Sequence, residues 1–483
     1  MKRIRPEWEV VLFERNRATD AFGFGVVFSD ATLRAIDAAD PLLSRALGDH
    51  GVHWDAIEVR AKGEASTFGG NGMAAIHRRV LLQILQEAAA SAEVDLRFET
   101  TVSSLAELDG FDVVVAADGA NSFVREQLLP QLGHHVETAT AKFIWFGTTY
   151  MFDGLTFVHA KNEHGHFAVH AYPISDSIST FIVETDEDTW RRAGLDEFDV
   201  TAPPGPSDEK TRAYLTELFA PFIDGGELIG NSSRWANFRT RRTDSWHSGN
   251  VAFLGDAVHT AHFSVGSGTK MAMEDAIALA EALAESPDDL DSAFSRYEGA
   301  RQPSVARIQE AARPSLAWWE RFGEYYEAFD PWQFAFHFFS RSIAIDKLRQ
   351  RDPRFVDIAE QSWLRANGAP VLHTPLEVAG RTLSGRRLVV RGRALVNPAS
   401  GVEIGWDEGT VIEPGATAPV DDGTAFVLVR GGDEGHRIQL AEDIRLRRGV
   451  PTVIELDSAS DAAVETLVLS GRVDAVAVKE GEA

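Results

Sequence analysis

The chain has 483 residues, 44% of them hydrophobic and 25% charged, which allows two or three globular domains around a large core. A formal net charge of −26 argues against nucleic-acid or anionic-membrane partners, and the absence of cysteine excludes disulfides, thiolate metal sites, iron–sulfur clusters and thiol catalysis. No apolar run has the length of a membrane span and the opening MKRIRPEWEV lacks the core of a signal peptide, so a cytoplasmic location and no metal site are expected.

Residues 9–13, EVVLF, form a strand-like run followed by Glu14 and Arg15. In a dinucleotide-binding fold, an acid at the end of the second strand accepts ribose hydroxyls. Glu14 fits that place as well as it fits a surface acid after an edge strand. The polar residues 1–8 read as the tail of a first helix, so a first strand and its G-x-G-x-x-G turn are expected to be missing. Residues 21–32, AFGFGVVFSDAT, read as a loop rich in Gly and Phe. A helix follows within 69–85, where Val80, Leu81, Ile84 and Leu85 share one face and Arg78 stands at the start. Residues 94–98 and 112–117 are further strands. The second runs into ADGANSFVRE, which contains Asp118, Gly119 and Arg125.

From 142–150 the texture changes to alternating, aromatic-rich strands, continued by 165–172 and 177–184. An antiparallel sheet inserted between two halves of the first domain is expected. His170 and Tyr172 read as cross-strand pairs ahead of inward-pointing site residues. A Pro/Gly loop at 203–207 precedes an amphipathic helix at 209–222.

The densest chemistry lies in 251–283, VAFLGDAVHTAHFSVGSGTKMAMEDAIALAEAL. The apolar run 251–254 reads as a buried strand, ending in Gly255 and Asp256. Gly266, Ser267, Gly268 and Thr269 then open a helix on which Met271, Met273, Ile277, Ala280 and Leu283 recur at helical spacing. A carboxylate at the strand end can accept the hydroxyls of a sugar-alcohol chain. Glycines without side chains let the backbone lie against a flat ligand, and the unpaired N–H groups of the helix start favour negative charge nearby. A plain buried strand and helix joined by a glycine turn is the simpler reading of any one part; the whole unit together favours a flavin. Beyond it, 289–366 is helical and dense in aromatics (Trp318, Trp319, Phe322, Tyr325, Tyr326, Phe329), which read as core ahead of a substrate cage. The tail 370–483 shifts to strands rich in Val, Gly and Arg.

The segment GDAVHTAHFSVGSGTKMAMEDA resembles the second flavin-binding motif of the FAD-dependent aromatic-ring hydroxylases built like p-hydroxybenzoate hydroxylase. It is most similar to the branch that holds salicylyl-CoA 5-hydroxylase, 2-aminobenzoyl-CoA monooxygenase/reductase and the violacein-pathway hydroxylases. Where the wider family has a Pro pair and an Asn, this chain has His262-Phe263-Ser264 and Lys270, as that branch does. The resemblance implies FAD as cofactor, NADH or NADPH as reductant, and transfer of one oxygen of O2 to an activated aromatic ring through a flavin hydroperoxide. It implies that Glu14 and Arg15 lie at the adenosine ribose, that Arg78 reaches the phosphate side, and that Asp118 and Gly119 form the motif near both FAD and the pyridine nucleotide. Gly255, Asp256, Gly266, Ser267, Gly268 and Thr269 would hold the ribityl chain and ring, and the 21–32 segment would lie against that ring. His262 would handle protons or position groups beside the flavin, with His259 the second candidate.

The expected fold is α/β. It has a Rossmann-like FAD-binding domain (1–140 and 231–290), an inserted substrate sheet (141–230), a helical segment (291–368) and a small α/β tail (369–483). In that tail TPLEVAGRTLSGRRLVV (374–390) resembles the opening of an old-yellow-enzyme barrel and HRIQLAEDIRLRRGVPTVIELDSASDAAVETLVLSGRVDAVAV (436–478) its end, yet a closed barrel takes about 250 residues, so a remnant without reductase activity is expected. The substrate would be an aromatic ring, carried as a CoA thioester. Alternatives are a free aromatic such as an indole or tryptophan derivative, or a non-catalytic flavin-fold partner subunit. The aromatic-rich helices offer a face for a homodimer.

Overall fold

The computed structural model describes residues 1–38, 41–198, 207–415, 420–421 and 423–480; most of the expected 203–207 loop lies outside them. The chain is mixed α/β and divides into two compact units, one of residues 1–58 and 71–321, the other of residues 59–70 and 322–483.

In the first unit two parallel ladders stand where the sequence places the nucleotide-binding strands. Val11–Phe13 pairs with Asp95–Arg97, and Val114–Ala116 pairs with Val251–Phe253. The second ladder is apolar because helices cover it: Phe253 and Ala252 are fully buried with Met271, Leu279 and Leu283 of the helix Gly268–Glu285 and with Phe294 and Tyr297. The 251–253 strand is as short as the apolar run that makes it, and the helix begins at Gly268, as the glycine loop requires.

The expected antiparallel sheet is present and larger than the sequence suggests. Its order is Leu228–Ile229, His134–Thr148, Ser179–Thr185, Gly165–Pro173, Leu155–Asn162, with Ala236–Thr243 also pairing along His134–Thr148. One face packs on the helix Glu209–Ile223 through Phe146, Val169, Phe181, Val183, Leu215 and Phe219. Alternation turns Trp145, His170, Tyr172 and Glu184 to the opposite face.

The 21–32 segment is not all loop. Gly25–Ser29 is a strand, paired antiparallel with Met73–His77, which in turn pairs with Val52–Trp54. Gly25 is required by close approach: a side chain there would meet Ile174 at 2.2 Å and the Thr180 hydroxyl at 2.9 Å.

In the second unit five parallel strands (Arg387–Arg391, Ala475–Lys479, Thr452–Leu456, Val427–Val429, Thr410–Ile412) are extended by two antiparallel ones, Ala394–Val396 and Glu403–Gly405. Helices Glu434–Arg448 and Asp461–Leu469 alternate with these strands. A buried polar knot ties it together: Glu442 is 3.1 Å from His337 and 3.3 Å from Arg472, and it accepts the Tyr325 hydroxyl. Burial alone would push this carboxyl up, but the charges and hydrogen bonds around it hold it down at about 2. Tyr325 and Phe329 of the aromatic stripe are core side chains here, as Trp318 and Trp319 are in the first unit. Among the described residues no helix is long and apolar enough to cross a membrane.

Candidate active site

Val114–Ala116 and Val251–Phe253 are neighbouring parallel strands, so the two turns that follow them sit side by side at their C-terminal ends. That is where open α/β sheets bind ligands. Arg125 joins the two turns. Its buried guanidinium donates to the carbonyl of Ala257 at 2.9 Å and to that of Ala120 at 2.9 Å.

Asp118 accepts the N–H of Val124 at 3.1 Å and so also caps the helix Phe123–Leu132. Gly119 has φ +81° and open space where a side chain would stand. Gly255 has φ +60° and is buried, with Ala272 3.1 Å from the place of a Cβ. Next to it, Asp256 is exposed and takes no hydrogen bond from any described residue. Nevertheless, surrounding protein pushes its carboxyl above the usual carboxylate range, while His259, Arg78 and Arg241 pull the other way. A carboxylate that is reachable by solvent and yet desolvated lines a concavity.

Across that concavity stands Arg78, at the start of the helix Arg78–Ser91. Burial lowers it, and Tyr172 and Asp256 partly restore it. Its guanidinium donates to the carbonyl of Phe22 at 2.7 Å and lies over Gly23, which ties it to the Gly/Phe segment. Gly266 has φ +62° and faces Val27 of that segment, and the space beside Gly268 is open. Ser267 gives the helix Gly268–Glu285 no side-chain cap, and Thr269 lies in its first turn. The structure therefore brings Arg78, Asp118, Gly119, Asp256, Gly266, Ser267, Gly268 and Thr269 around one region. Glu14 and Arg15 follow the other ladder; the Glu14 carboxylate is held by the backbone and side chain of Asn16 at 2.8 and 2.7 Å. A groove of about 460 Å³ walled by Arg3, Leu42, Ile84, Glu87 and Ser91 involves none of these residues.

The two histidines have different surroundings. His259 is buried against Trp246 and held by Asp275 at 2.7 Å. Asp275 also accepts the N–H of Gly255 at 3.0 Å and the Arg301 guanidinium at 2.8 Å. Burial raises this carboxyl, but the hydrogen bonds from His259, Arg301 and Gly255 outweigh it and hold it low. His259 thus supports the Gly255 turn. His262 stacks on Phe263 at 4.3 Å and contacts Ser264 Oγ at 2.7 Å through Nδ1. Phe263 in turn meets Phe143, Trp145 and His170 of the sheet. Sequence reasoning missed Asp275, Arg301 and Glu184. Acids on the buried face of a helix or strand are the signal that could have found the two carboxylates.

The donor set suits FAD. An accessible carboxylate without a protein donor, a facing arginine, an open helix start and side-chain-free space beside Gly119 and Gly268 match a polyol, an anionic group and a flat ring. A family model described as an FAD binding domain matches residues 111–312. A salicyloyl-CoA 5-hydroxylase from a Streptomyces species is 54% identical over 99% of this chain and 96% of its own length. A 3-hydroxy-4-methyl-anthranilyl-[aryl-carrier protein] 5-monooxygenase of Streptosporangium sibiricum is 36% identical over 62% of this chain and 79% of its own. In fold, the chain is similar to p-nitrophenol 4-monooxygenase from Pseudomonas putida DLL-E4, with a TM-score of 0.56 and 17% identity over 74% of this chain and 93% of that one. This chain belongs to the FAD-dependent aromatic-ring hydroxylases, on the branch of salicyloyl-CoA 5-hydroxylase, and is a flavin-dependent aromatic monooxygenase with FAD as cofactor and NADH or NADPH as co-substrate.

Proposed function

We propose that the enzyme hydroxylates the ring of an aromatic acyl-CoA thioester of the salicyloyl-CoA type. The observation that carries this reading is the 54% identity to a salicyloyl-CoA 5-hydroxylase along nearly the whole of both chains. Bound FAD, reduced by NADH or NADPH, supplies the activation of O2. The chain's own residues bind, orient and exclude water. The Asp256 carboxylate accepts the ribityl hydroxyls, Arg78 faces the phosphate side, and Glu14 with Arg15 lies toward the ribose. Gly255, Gly266 and Gly268, with Ser267 and Thr269, leave the ribityl chain and ring their place, and Asp118 with Gly119 lies near both FAD and the pyridine nucleotide. His262, beside Phe263, positions or exchanges a proton at the substrate face, and His259 acts through the turn it supports.

The domain reading assigns 1–140 and 231–290 to a Rossmann-like FAD-binding domain. It assigns 141–230 to the substrate sheet, 291–368 to a helical segment and 369–483 to a shortened old-yellow-enzyme-like domain. The alternating parallel strands and helices of that last segment support the assignment. Parallel turnover of salicyloyl-CoA and free salicylate tests the substrate class. Hydroxylated product is expected from the ester at a kcat/KM at least a hundredfold above that for the free acid. Preference for the free acid, or for an indole, would overturn the thioester reading.

A further inference from the structure

A further group of buried titratable side chains in the first unit lies on the sheet face that meets Phe263. Glu184 of Ser179–Thr185 and His170 of Gly165–Pro173 are both almost wholly buried and meet at 2.6 Å. The other Glu184 oxygen is 4.0 Å from His262 Nε2. From His262 Nδ1 a chain of hydroxyls continues, to Ser264 Oγ at 2.7 Å and on to Ser315 Oγ at 2.8 Å. His262 also lines a cavity of about 30 Å³ with Glu137, Thr240, Arg242, Gln309 and Arg313. That is room for about one water. The side chains of Glu137 and Arg313 are 66% and 45% exposed, so the cavity borders solvent.

We propose that Glu184 and His262 form a proton conduit between the buried face of the substrate sheet and solvent, with His170 positioning the Glu184 carboxyl. The proposal rests on the aromatic-hydroxylase reading. That reaction is ArH + NAD(P)H + H⁺ + O2 → ArOH + NAD(P)⁺ + H2O, so each turnover takes one proton from solution into a site built to exclude water. The transfers balance without any bond to carbon. Glu184 gives its proton inward, to the oxygen that leaves as water, and becomes a carboxylate. The neutral His262 ring, with its proton on Nε2 and Nδ1 as acceptor, takes a proton at Nδ1 from Ser264 or a cavity water as it gives the Nε2 proton to Glu184. The Nδ1–H ring left behind returns to the Nε2–H tautomer by exchange with the cavity water. The 4.0 Å gap exceeds hydrogen-bond reach, so a small swing of either side chain accompanies the transfer.

The surroundings suit a group that changes charge. The neighbouring strand His134–Thr148 contributes Phe143 opposite Glu184, and the helix Leu290–Ala328 contributes Trp319, 4.0 Å from His170, and Glu320. Burial pushes Glu184 up to about 7, with His262 pulling it down and Glu320 pushing it further.

Glu184→Gln keeps the size and burial but cannot titrate. In the FAD-loaded protein, ¹⁵N-histidine NMR titration of wild type is expected to show His262 responding to a second group near pH 7. That response disappears in E184Q and returns in E184D. Identical His262 titrations in wild type and E184Q overturn the conduit. A second arm follows hydroxylated salicyloyl-CoA against pH. The limb near pH 7 is expected to vanish in E184Q while kcat falls at least tenfold and KM holds. A wild type inert toward that ester overturns the substrate reading alone, because the NMR arm still decides the conduit. Active E184Q with an unchanged pH limb overturns the conduit itself.

Discussion

Asp256 is exposed, lacks a protein hydrogen-bond donor among the described residues, and is nonetheless pushed up by the protein around it. A ligand rich in hydroxyl donors satisfies all three conditions. Hydrogen bonds to a charged group contribute about 1.5–3 kcal/mol each. Asp256→Ala should therefore weaken FAD about tenfold or more, read by flavin fluorescence titration; an unchanged Kd would remove Asp256 from the contact. Glu184 yields a stability prediction of definite sign. Its folded value of about 7 lies above the ordinary 4.5, so the native protein holds a proton that the unfolded chain releases. The stability this supplies is complete below about pH 4.5 and is lost as pH rises through about 7. E184Q has no such loss, so its advantage in Tm over wild type should grow between pH 5 and pH 8. A difference independent of pH would contradict the shift.

At the scale of elements, the helix Gly268–Glu285 carries two separable roles. Gly268 has nothing within 4 Å of a would-be Cβ and no left-handed φ. Ala there should leave the fold intact or stabilise it by about 0.5–1 kcal/mol, yet reduce FAD affinity by filling the ligand's space. Thermal melts and FAD titration of Gly268→Ala check both directions. Asp275 is the opposite case, a fully buried acid holding Gly255, His259 and Arg301. Asp275→Ala leaves the buried Arg301 with Glu274 alone and takes the acceptor from the Gly255 N–H and the His259 ring, and should cost about 3–5 kcal/mol, measured by denaturant midpoint. These contrasts show why some of the site was legible in the sequence. The strand 251–253, Asp256, the glycines and the helix are consecutive, so a local pattern reveals them. The 21–32 segment has the composition of a loop because its partner strand, Met73–His77, lies far along the chain, and Gly25 answers crowding by Ile174 and Thr180 rather than a turn. His170 and Glu184 likewise read as ordinary strand residues until the sheet places them together against Phe263.

At the scale of the molecule, a net charge of −26 opposes an anionic thioester. Salt screens such repulsion over about 10 Å at 0.1 M. The kcat/KM for salicyloyl-CoA should therefore rise with ionic strength more steeply than that for salicylate. A fall instead would show that a local cationic patch dominates. Both motif turns, the helix start at Gly268 and the large antiparallel sheet belong to the first compact unit, where the proposed flavin site lies. A crystal structure with FAD bound tests this most directly. The account predicts the isoalloxazine against Gly266–Gly268 with the Asp256 carboxylate on the ribityl hydroxyls. Flavin density lodged anywhere else, or none at saturating FAD, would contradict it.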